Sequence, residues 1–551
     1  MKRSITTALL FFGLASFAQE KLSVVQQAMR DELERNMKEL KSEGFDKPFF
    51  INYSLEEYEA YRILATLGAI DKSSEGKVRT ATSVRLMVGD YEFNDESLDN
   101  NLPSPAQSNE IALPIDDDYL GIRRSLWVST DQVYRSASRK FAKNKELVKE
   151  QEKPLAELPH RTFTKVAPSK IDRKLPDVKF DRKEAEDYIR KLSAAITDYG
   201  RTKDDFDAST VSFAYRRGYR YLENSEGSSN RIPSSMVLVV IAVSFRSPDG
   251  DDIYDHIEHL YETPELPPLE QLIAEGKQLL DQLTVKVKAP LFDEEYVGPV
   301  LIEGDDLAGL LFEALCSGED NLFASDNIPR LKGYTSDTKT TMDSKIGKPV
   351  FADGLTVKAL PKMKKYGDKI LFGSFDADLE GVVPADETVL VENGVLKTLM
   401  NDRTLINTNQ VANGFAHGGG VLSVTLNNTI PGSQMKARLI AQAKKEGLDY
   451  GIWVKSGVES SKRTSFDVYK VYVEDGREEL LRGAWMKRMT QRNFRKINCA
   501  SSENTVNHIN RVNYFPSIIS PQAMLFEEVE VSGTTHTFQK REEYVPSPLK
   551  K

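Results

Sequence analysis

The chain of 551 residues is poor in cysteine and histidine, and neither glycine nor proline is enriched. With only 2 cysteines, Cys316 and Cys499, it is not a disulfide-stabilised scaffold. With 33 glycines and 24 prolines it is neither a fibrous nor a low-complexity chain. Lys and Arg number 74 against 83 for Asp and Glu, so the excess of positive charge that neutralises nucleic-acid phosphates is missing. These absences leave a globular protein of about two to four domains, with no nucleic acid expected as a partner.

The sequence also lacks long apolar runs, apart from a short one at its start. Two basic residues, the apolar segment 5–14 and the small residues Ser16 and Ala18 follow the pattern of a secretory signal peptide. We therefore expect residues 1–18 to be removed and the mature protein to be periplasmic or secreted. A membrane-spanning helix needs about 20 apolar residues. The best later candidate, 236–245, is shorter and β-branched, which is typical of a buried strand.

The periodicity of apolar residues predicts an α+β fold. Residues 20–42 carry apolar side chains at helical spacing. Further helices are predicted from Thr130 or Asp131, from Asp181 with Glu184 in a capping box, and over 266–283, 305–315 and 433–446. Alternating apolar and polar residues elsewhere predict strands, and Asn393-Gly394 and Asp475-Gly476 are typical of hairpin turns.

This pattern divides the chain into two domains after the signal peptide. We predict an N-terminal α+β domain with an antiparallel sheet and helices over 19–290, and a β-rich C-terminal domain over 291–551. A connector with several prolines lies near 151–180. Within the first domain, two hairpin strands are predicted on either side of a turn at 216–218.

Motifs of several enzyme classes are missing, including HExxH, the GxSxG nucleophile elbow and the phosphate-binding loop. The segment Asp255-His256-Ile257-Glu258-His259 would place two imidazoles on one face if it were helical. Without a third ligand, it is more typical of a solvated polar segment than of a zinc site. His417, in a glycine-rich stretch, is more typical of a β-turn than of a ligand site. The carboxylates of Asp376, Asp378 and Glu380 are predicted to lie in solvated turns.

Several segments together carry a resemblance to a known family. They are 47–53, 59–61, 88–91, 126–127 with 130–131, 224–227, 296–300, 375–384, 391–397, 447–452 and 516–531. In order and spacing they resemble the TldD/PmbA family, which is classed among the zinc metallopeptidases and often described as modulators of DNA gyrase. The resemblance covers most of the mature chain.

The resemblance also shows where this chain departs from the family's active branch, which has an HExxxH helix and a third zinc ligand from a C-terminal cysteine. The corresponding segment, 312–317, has the sequence Phe-Glu-Ala-Leu-Cys-Ser. Glu313 occupies the general-base position, while Phe312 and Ser317 occupy the two ligand positions. A phenyl ring has no lone pair and a serine hydroxyl is a poor zinc ligand. We therefore expect no metal in this chain, and the chain resembles the branch without HExxxH ligands.

Three interpretations of function remain open. In the first, the chain is a non-catalytic subunit that forms a dimer with a zinc-bearing HExxxH paralogue and helps to degrade or process peptides or unfolded proteins. In the second, it is an active metallopeptidase with substitute ligands, for which Cys316, Cys499, His417 and His508 are the candidates. In the third, it is a homodimeric peptide-binding or scaffold protein. The sequence leaves open whether Cys316 and Cys499 form a disulfide.

Overall fold

The computed structural model describes residues 22–98, 102, 111–317, 322–323, 342–406, 410–416, 419–455, 465–511, 514–533 and 545. The proposed signal peptide and His417 lie outside these residues. Elements of the N-terminal half are α1 (Val24–Glu39), β1 (Pro48–Thr66), β2 (Ala69–Val88), β3 (Ile111–Ala112), α2 (Tyr119–Lys149), β4 (Arg161–Phe163), β5 (Lys170–Asp172), α3 (Arg182–Gly200), β6 (Phe206–Asn224), β7 (Ser229–Arg246), β8 (Asp252–Tyr261) and α4 (Leu269–Lys286).

The C-terminal half contains many short strands and three helices within the described residues. Its elements are β9 (Glu295–Glu303), α5 (Gly304–Cys316), β10 (Leu355–Ala359), β11 (Lys365–Tyr366), β12 (Lys369–Ile370), β13 (Thr388–Glu392), β14 (Val395–Leu396), β15 (Thr404–Ile406), β16 (Val421–Leu426), β17 (Thr429–Ile430), α6 (Gly432–Lys445), β18 (Tyr450–Val454), β19 (Ser465–Tyr472), β20 (Glu478–Met486), α7 (Gln491–Arg495), β21 (Ile497–Ser501), β22 (Asn504–His508), β23 (Ser517–Pro521) and β24 (Ala523–Ser532). The predicted α+β fold with a β-rich C-terminal region is therefore confirmed, while the boundary near 290 stays a prediction.

A seven-stranded sheet organises the N-terminal half, in the order β3-β2-β1-β6-β7-β5 with β8 also paired to β7. All of its pairings are antiparallel except that of β5 with β7. Side chains of a strand alternate between faces, and the odd-numbered residues of β1, such as Ile51 and Ile63, join the apolar clusters formed with the four helices. The helices therefore cover one face of the sheet, and the other face is left to meet the C-terminal half.

Two local predictions in this half were wrong, one at a helix start and one at a predicted turn. Helix α2 begins earlier than predicted, where the Asp118 carboxylate accepts hydrogen bonds from the backbone N–H groups of Leu120 and Gly121. Thr130 lies inside that helix and donates its hydroxyl proton to the Leu126 carbonyl. The predicted turn at 216–218 is instead the middle of the continuous strand β6. Gly218 is required there, because a Cβ atom would lie 1.9 Å from the Glu57 carbonyl oxygen of β1.

Two further sheets and a buried helix make up the C-terminal half. One sheet has the order β14-β13-β10-β16-β23-β22, and the other has the order β17-β21-β24-β20-β19-β18-β9, with β9 also paired to β24. Helix α5 contributes apolar residues to the large cluster that both sheets share. A helix that is apolar around most of its circumference must be buried. Among the described residues, no helix is long and apolar enough to cross a membrane.

A group of buried charges joins the two halves. Arg85 of β2 forms ion pairs with Glu96, at 2.5 Å, and with Glu380 of the C-terminal half. The same guanidinium donates to Thr404 Oγ1 at 2.6 Å, and Arg161 donates to the Thr404 carbonyl oxygen at 2.6 Å. Buried charges of this kind need partners on all sides, so the two halves depend on each other at this junction.

The carboxylates of 376–380 lie beside this junction rather than in open turns. Asp378 and Glu380 are only 4% and 5% exposed, so the prediction of solvated turns was wrong for both. Asp378 accepts three backbone N–H hydrogen bonds, which replace the water that the carboxylate loses on burial. Asp376 is partly buried and lies 2.6 Å from an Arg173 nitrogen.

A carboxyl group next to the junction predicts a pH dependence of stability. Asp95 is fully buried, its Oδ1 accepts from the Val88 N–H at 2.8 Å, and burial raises its pKa to about 8. The folded state therefore binds this proton more tightly than the unfolded state. The stabilisation is present at low pH and is lost as the pH rises through about 8. We expect Asp95→Asn, which stays neutral, to become more stable relative to the wild type between about pH 6 and pH 9. Thermal melts at both pH values test this, and a constant difference between the two proteins would contradict it.

Candidate functional site

The family resemblance places the metal-binding motif at the C-terminal end of α5. Helix α5 follows β9 directly, and Asp305 and Asp306 lie in its first turn, where they interact favourably with the helix dipole. At its other end, Arg488 Nη2 donates to the carbonyl oxygens of Glu313, at 3.1 Å, and Ser317, at 2.5 Å. These are carbonyls that the helix itself leaves without partners. The end of the helix is therefore held in place by Arg488.

Arg511 supplies a positive charge at the general-base position. Its guanidinium forms an ion pair with the Glu313 carboxylate. The guanidinium carbon also lies 5.3 Å from the centre of the Phe312 ring, within the range of a cation–π contact. The Glu313 carboxylate is thus paired with the Arg511 guanidinium. The side chains at 312 and 317 place no imidazole beside it.

The residues at this position do not fit zinc. A catalytic zinc needs three protein ligands and one open position. Phe312 is 3% exposed and offers no lone pair, and the backbone of Ser317 is engaged in the helix end. The Arg511 guanidinium, which keeps its charge at every physiological pH, would repel a divalent cation placed beside Glu313.

The two cysteines lie on opposite sides of the C-terminal sheet. Cys316 packs against the large cluster around α5, and its Sγ lies 3.9 Å from Met400 Sδ. Cys499 belongs to a separate cluster beneath α6, while its neighbour Ala500 faces the large cluster. Both are free thiols, so the structure contains no disulfide between them. Burial raises the pKa of both thiols, which disfavours the thiolate that binds zinc.

His508 is a neutral histidine on the far face of its strand. Its Nδ1 lies 3.0 Å from Ser517 Oγ, and burial lowers its pKa to about 4. The preceding residue, Asn507, donates to the Gly304 carbonyl oxygen of α5, so His508 points away from that helix. The candidate ligands Cys316, Cys499 and His508 therefore do not converge. No three His, Cys, Asp or Glu side chains come close enough to hold a metal within the described part of the chain.

The histidine pair at 256 and 259 lies on a strand, not on a helix. Residues three apart in β8 point to opposite faces. His259 Nε2 lies 2.5 Å from Glu275 Oε2 of α4, and His256 Nε2 lies 3.3 Å from Glu258 Oε1. The hypothesis of a helical two-histidine face was therefore wrong, because β7 recruits this segment into the sheet.

A cleft between the two halves lies next to the end of α5. Its volume is about 140 Å³. One wall is the helix-free face of β1, β6 and β7, and the other consists of 372–375 with Tyr514 and Phe515. Tyr514 donates its hydroxyl proton to the Gly419 carbonyl oxygen at 2.8 Å, and its backbone pairs with Arg511. The cleft is thus linked to the Glu313–Arg511 ion pair through the pairing of Arg511 with Tyr514. The sequence analysis missed the cleft because its walls come from strands far apart in the chain.

These features define a class, namely an α+β protein in which a helix-covered antiparallel sheet meets a β-rich C-terminal region. The family described as the PmbA/TldA metallopeptidase C-terminal domain matches residues 322–533. Residues 322–533 therefore carry the C-terminal domain of the PmbA/TldD family, as the resemblance predicted.

Two solved structures of low sequence identity, with TM-scores of 0.55, support the fold. A proposed modulator of a DNA gyrase from Thermotoga maritima MSB8 is 14% identical, with a TM-score of 0.55, over 92% of this chain and 100% of that one. A proposed modulator of DNA gyrase from Bacteroides thetaiotaomicron VPI-5482 is 13% identical, with a TM-score of 0.55, over 93% of this chain and 98% of that one. TldE from Thermococcus kodakarensis is 14% identical, over 92% and 100%, with a TM-score of 0.49. No curated protein matches the chain significantly.

Proposed function

We propose that this protein is a non-catalytic subunit that pairs with an HExxxH-bearing relative in a complex that degrades or processes peptides. The observation that carries the proposal is the ion pair between Glu313 and Arg511, formed against a phenyl ring at a ligand position. A general base must accept a proton from a metal-activated water. A carboxylate held by a guanidinium, without zinc ligands beside it, is not arranged for that step.

The well-built surroundings of the lost metal position support a role in assembly or binding. Arg488 still holds the end of α5, and a cleft remains open beside it. Retention of these features is expected if the chain shapes a shared chamber while a partner supplies the zinc. From the signal-peptide pattern of residues 1–18 we also propose that this complex acts in the periplasm or outside the cell.

Co-expression with an HExxxH relative from the same genome tests the proposal. The mature chain, beginning at Gln19, is expected to elute with the relative as a stoichiometric complex that hydrolyses unfolded peptide substrates. Changing the HExxxH glutamate of the relative to glutamine should abolish hydrolysis. The matched change Glu313→Gln in this chain should leave the rate within about twofold, because Glu313 performs no proton transfer.

Two outcomes would contradict the proposal. Loss of hydrolysis with Glu313→Gln in a complex of unchanged stoichiometry would assign catalysis to this chain. Failure to associate with any such relative, together with a stable homodimer, would favour the peptide-binding or scaffold interpretation, for which the cleft is the supporting feature.

A further inference from the structure

Two arginines of β6 line the cleft between the halves. Arg216 and Arg220 are four residues apart on one strand, so they share the face that meets the C-terminal half. The Arg216 guanidinium lies 5.2 Å from the centre of the Tyr58 ring. Arg220 Nε is buried and makes no hydrogen bond to any described residue. A buried donor without an acceptor is costly, so this position favours a ligand that brings an acceptor oxygen.

The charge balance of the cleft favours an anion. Two acidic residues also line it, Glu56 and Glu57. Glu57 is an odd-numbered residue of β1, so its side chain points to the helix-covered face, where it pairs with Arg79 and, at 3.4 Å, with Lys77. Glu56 lies on the cleft face, opposite Arg220 in the pairing of β1 with β6. On this face the two guanidinium groups of Arg216 and Arg220 outnumber the single carboxylate of Glu56.

The opposite wall of the cleft is aromatic. Phe372, Phe375, Tyr514 and Phe515 of the C-terminal half face the arginine side, and Met236 of β7 adds a further apolar group. A volume of about 140 Å³ is small compared with the roughly 300–1,000 Å³ of sites for drug-sized ligands. The cleft therefore suits a group the size of one amino-acid residue that combines an anionic and an apolar part.

We propose that this cleft binds a carboxylate of a peptide, with Arg220 as the hydrogen-bond donor and the aromatic wall as the contact for the adjacent apolar side chain. A guanidinium matches a carboxylate with paired donors, and such charge-assisted hydrogen bonds are the stronger ones. The inference deepens the proposed function and rests on it for the source of the peptide. The carboxylate comes either from the peptide's C-terminus or from an acidic side chain, and the test separates the two.

Fluorescence anisotropy of the isolated mature chain tests the inference without any partner. The probe is an N-terminally fluorescein-labelled Gly-Ser-Gly-Gly-Leu peptide with a free carboxylate, and its control is the same peptide amidated. We expect amidation to weaken binding by about tenfold or more. An amidated peptide with Glu before the final Leu tests whether an acidic side chain can supply the carboxylate. If it binds as tightly as the free acid, an acidic side chain also supplies the carboxylate.

Substitution of Arg220 locates the binding site. Arg220→Gln should weaken binding of the free acid by about tenfold and remove the preference over the amide. Arg220→Lys, which keeps the charge, should retain part of that preference. Arg190→Gln removes the same charge from the exposed face of α3 and should change neither affinity.

Equal binding of acid and amide to the wild-type chain, or no binding of the acid at millimolar protein, would overturn the inference. An unchanged preference in a folded Arg220→Gln variant would overturn it as well. None of these results bears on whether the chain associates with an HExxxH relative, so failure here is distinguishable from failure of the proposed function.

Discussion

Arg403→Met is expected to lower the free energy of unfolding at the junction between the halves by about 3–5 kcal/mol. Arg403 is fully buried, and its guanidinium carbon lies 4.1 Å from the centre of the Phe163 ring and 4.8 Å from that of Phe50. Its Nη2 donates to Glu226 Oε1 at 2.8 Å, and the Tyr91 hydroxyl donates to the same oxygen at 2.8 Å. Methionine fills the space between the rings but leaves the Glu226 carboxylate buried without its cation.

A double-mutant cycle with Glu226→Gln distinguishes this cause from a loss of packing. Each single variant leaves one buried charge unpaired, whereas the double variant removes both charges. The double variant should therefore lose clearly less than the sum of the two single losses. Native-state hydrogen exchange of the amides in β4 and β15, which pair next to Arg403, measures the local opening free energy.

The control variant Arg190→Met, on the surface of α3, should change the opening free energy by less than about 0.5 kcal/mol. An Arg403→Met chain whose opening free energy lies within about 1 kcal/mol of the wild type would contradict the account of the junction.

Restoring the two histidines of the family motif is expected to fail to restore a zinc site. The double variant Phe312→His, Ser317→His recreates HExxxH at the end of α5, yet it lacks a third ligand, and Arg511 still holds Glu313. We expect less than about a tenth of an equivalent of zinc to remain after gel filtration. Adding Arg511→Ala removes the repelling charge and should tighten zinc binding by about tenfold or more.

Isothermal titration calorimetry measures the zinc affinity of both variants and of the wild type. Circular dichroism checks that each variant is folded. One tightly bound zinc in the double variant alone would show that Arg511 does not oppose a metal at this position. Equal zinc affinities of the double variant and of the triple variant with Arg511→Ala would also show that Arg511 does not oppose a metal here.

The sequence was most informative where local chemistry decides the structure. Helix α5 was predicted over 305–315 and spans Gly304–Cys316, and α6 was predicted over 433–446 and spans Gly432–Lys445. Both have apolar residues at helical spacing with a clear start. The Asn393-Gly394 turn was also correct, since Asn393 and Gly394 both adopt the positive φ that this hairpin requires.

Two of the errors arose where residues far apart in the chain decide the structure. No local pattern shows that Gly218 of β6 is needed for the close approach of β1, so a strand was read as a hairpin. Polar residues around 376–380 resemble a solvated turn until Arg85, almost 300 positions earlier, forms an ion pair with Glu380.

At the candidate site, too, the local features could be predicted from the sequence and the long-range contacts could not. The residue types at 312 and 317, the positions that the resemblance aligns with zinc ligands, could be read directly from the sequence. The partner of Glu313 was not visible, since Arg511 lies on the loop after β22 and reaches α5 only in the folded chain. The cleft likewise forms only where the helix-free face of the first sheet meets the C-terminal half.

The zinc content of the isolated mature chain tests the central claim most directly. The chain, beginning at Gln19 and purified without a histidine tag or chelator, is analysed by elemental mass spectrometry after equilibration with zinc and gel filtration. The account predicts less than about a tenth of an equivalent, because among the described residues neither the end of α5 nor Cys316, Cys499 and His508 form a three-ligand site. One tightly held zinc per chain would contradict the assignment of a non-catalytic subunit.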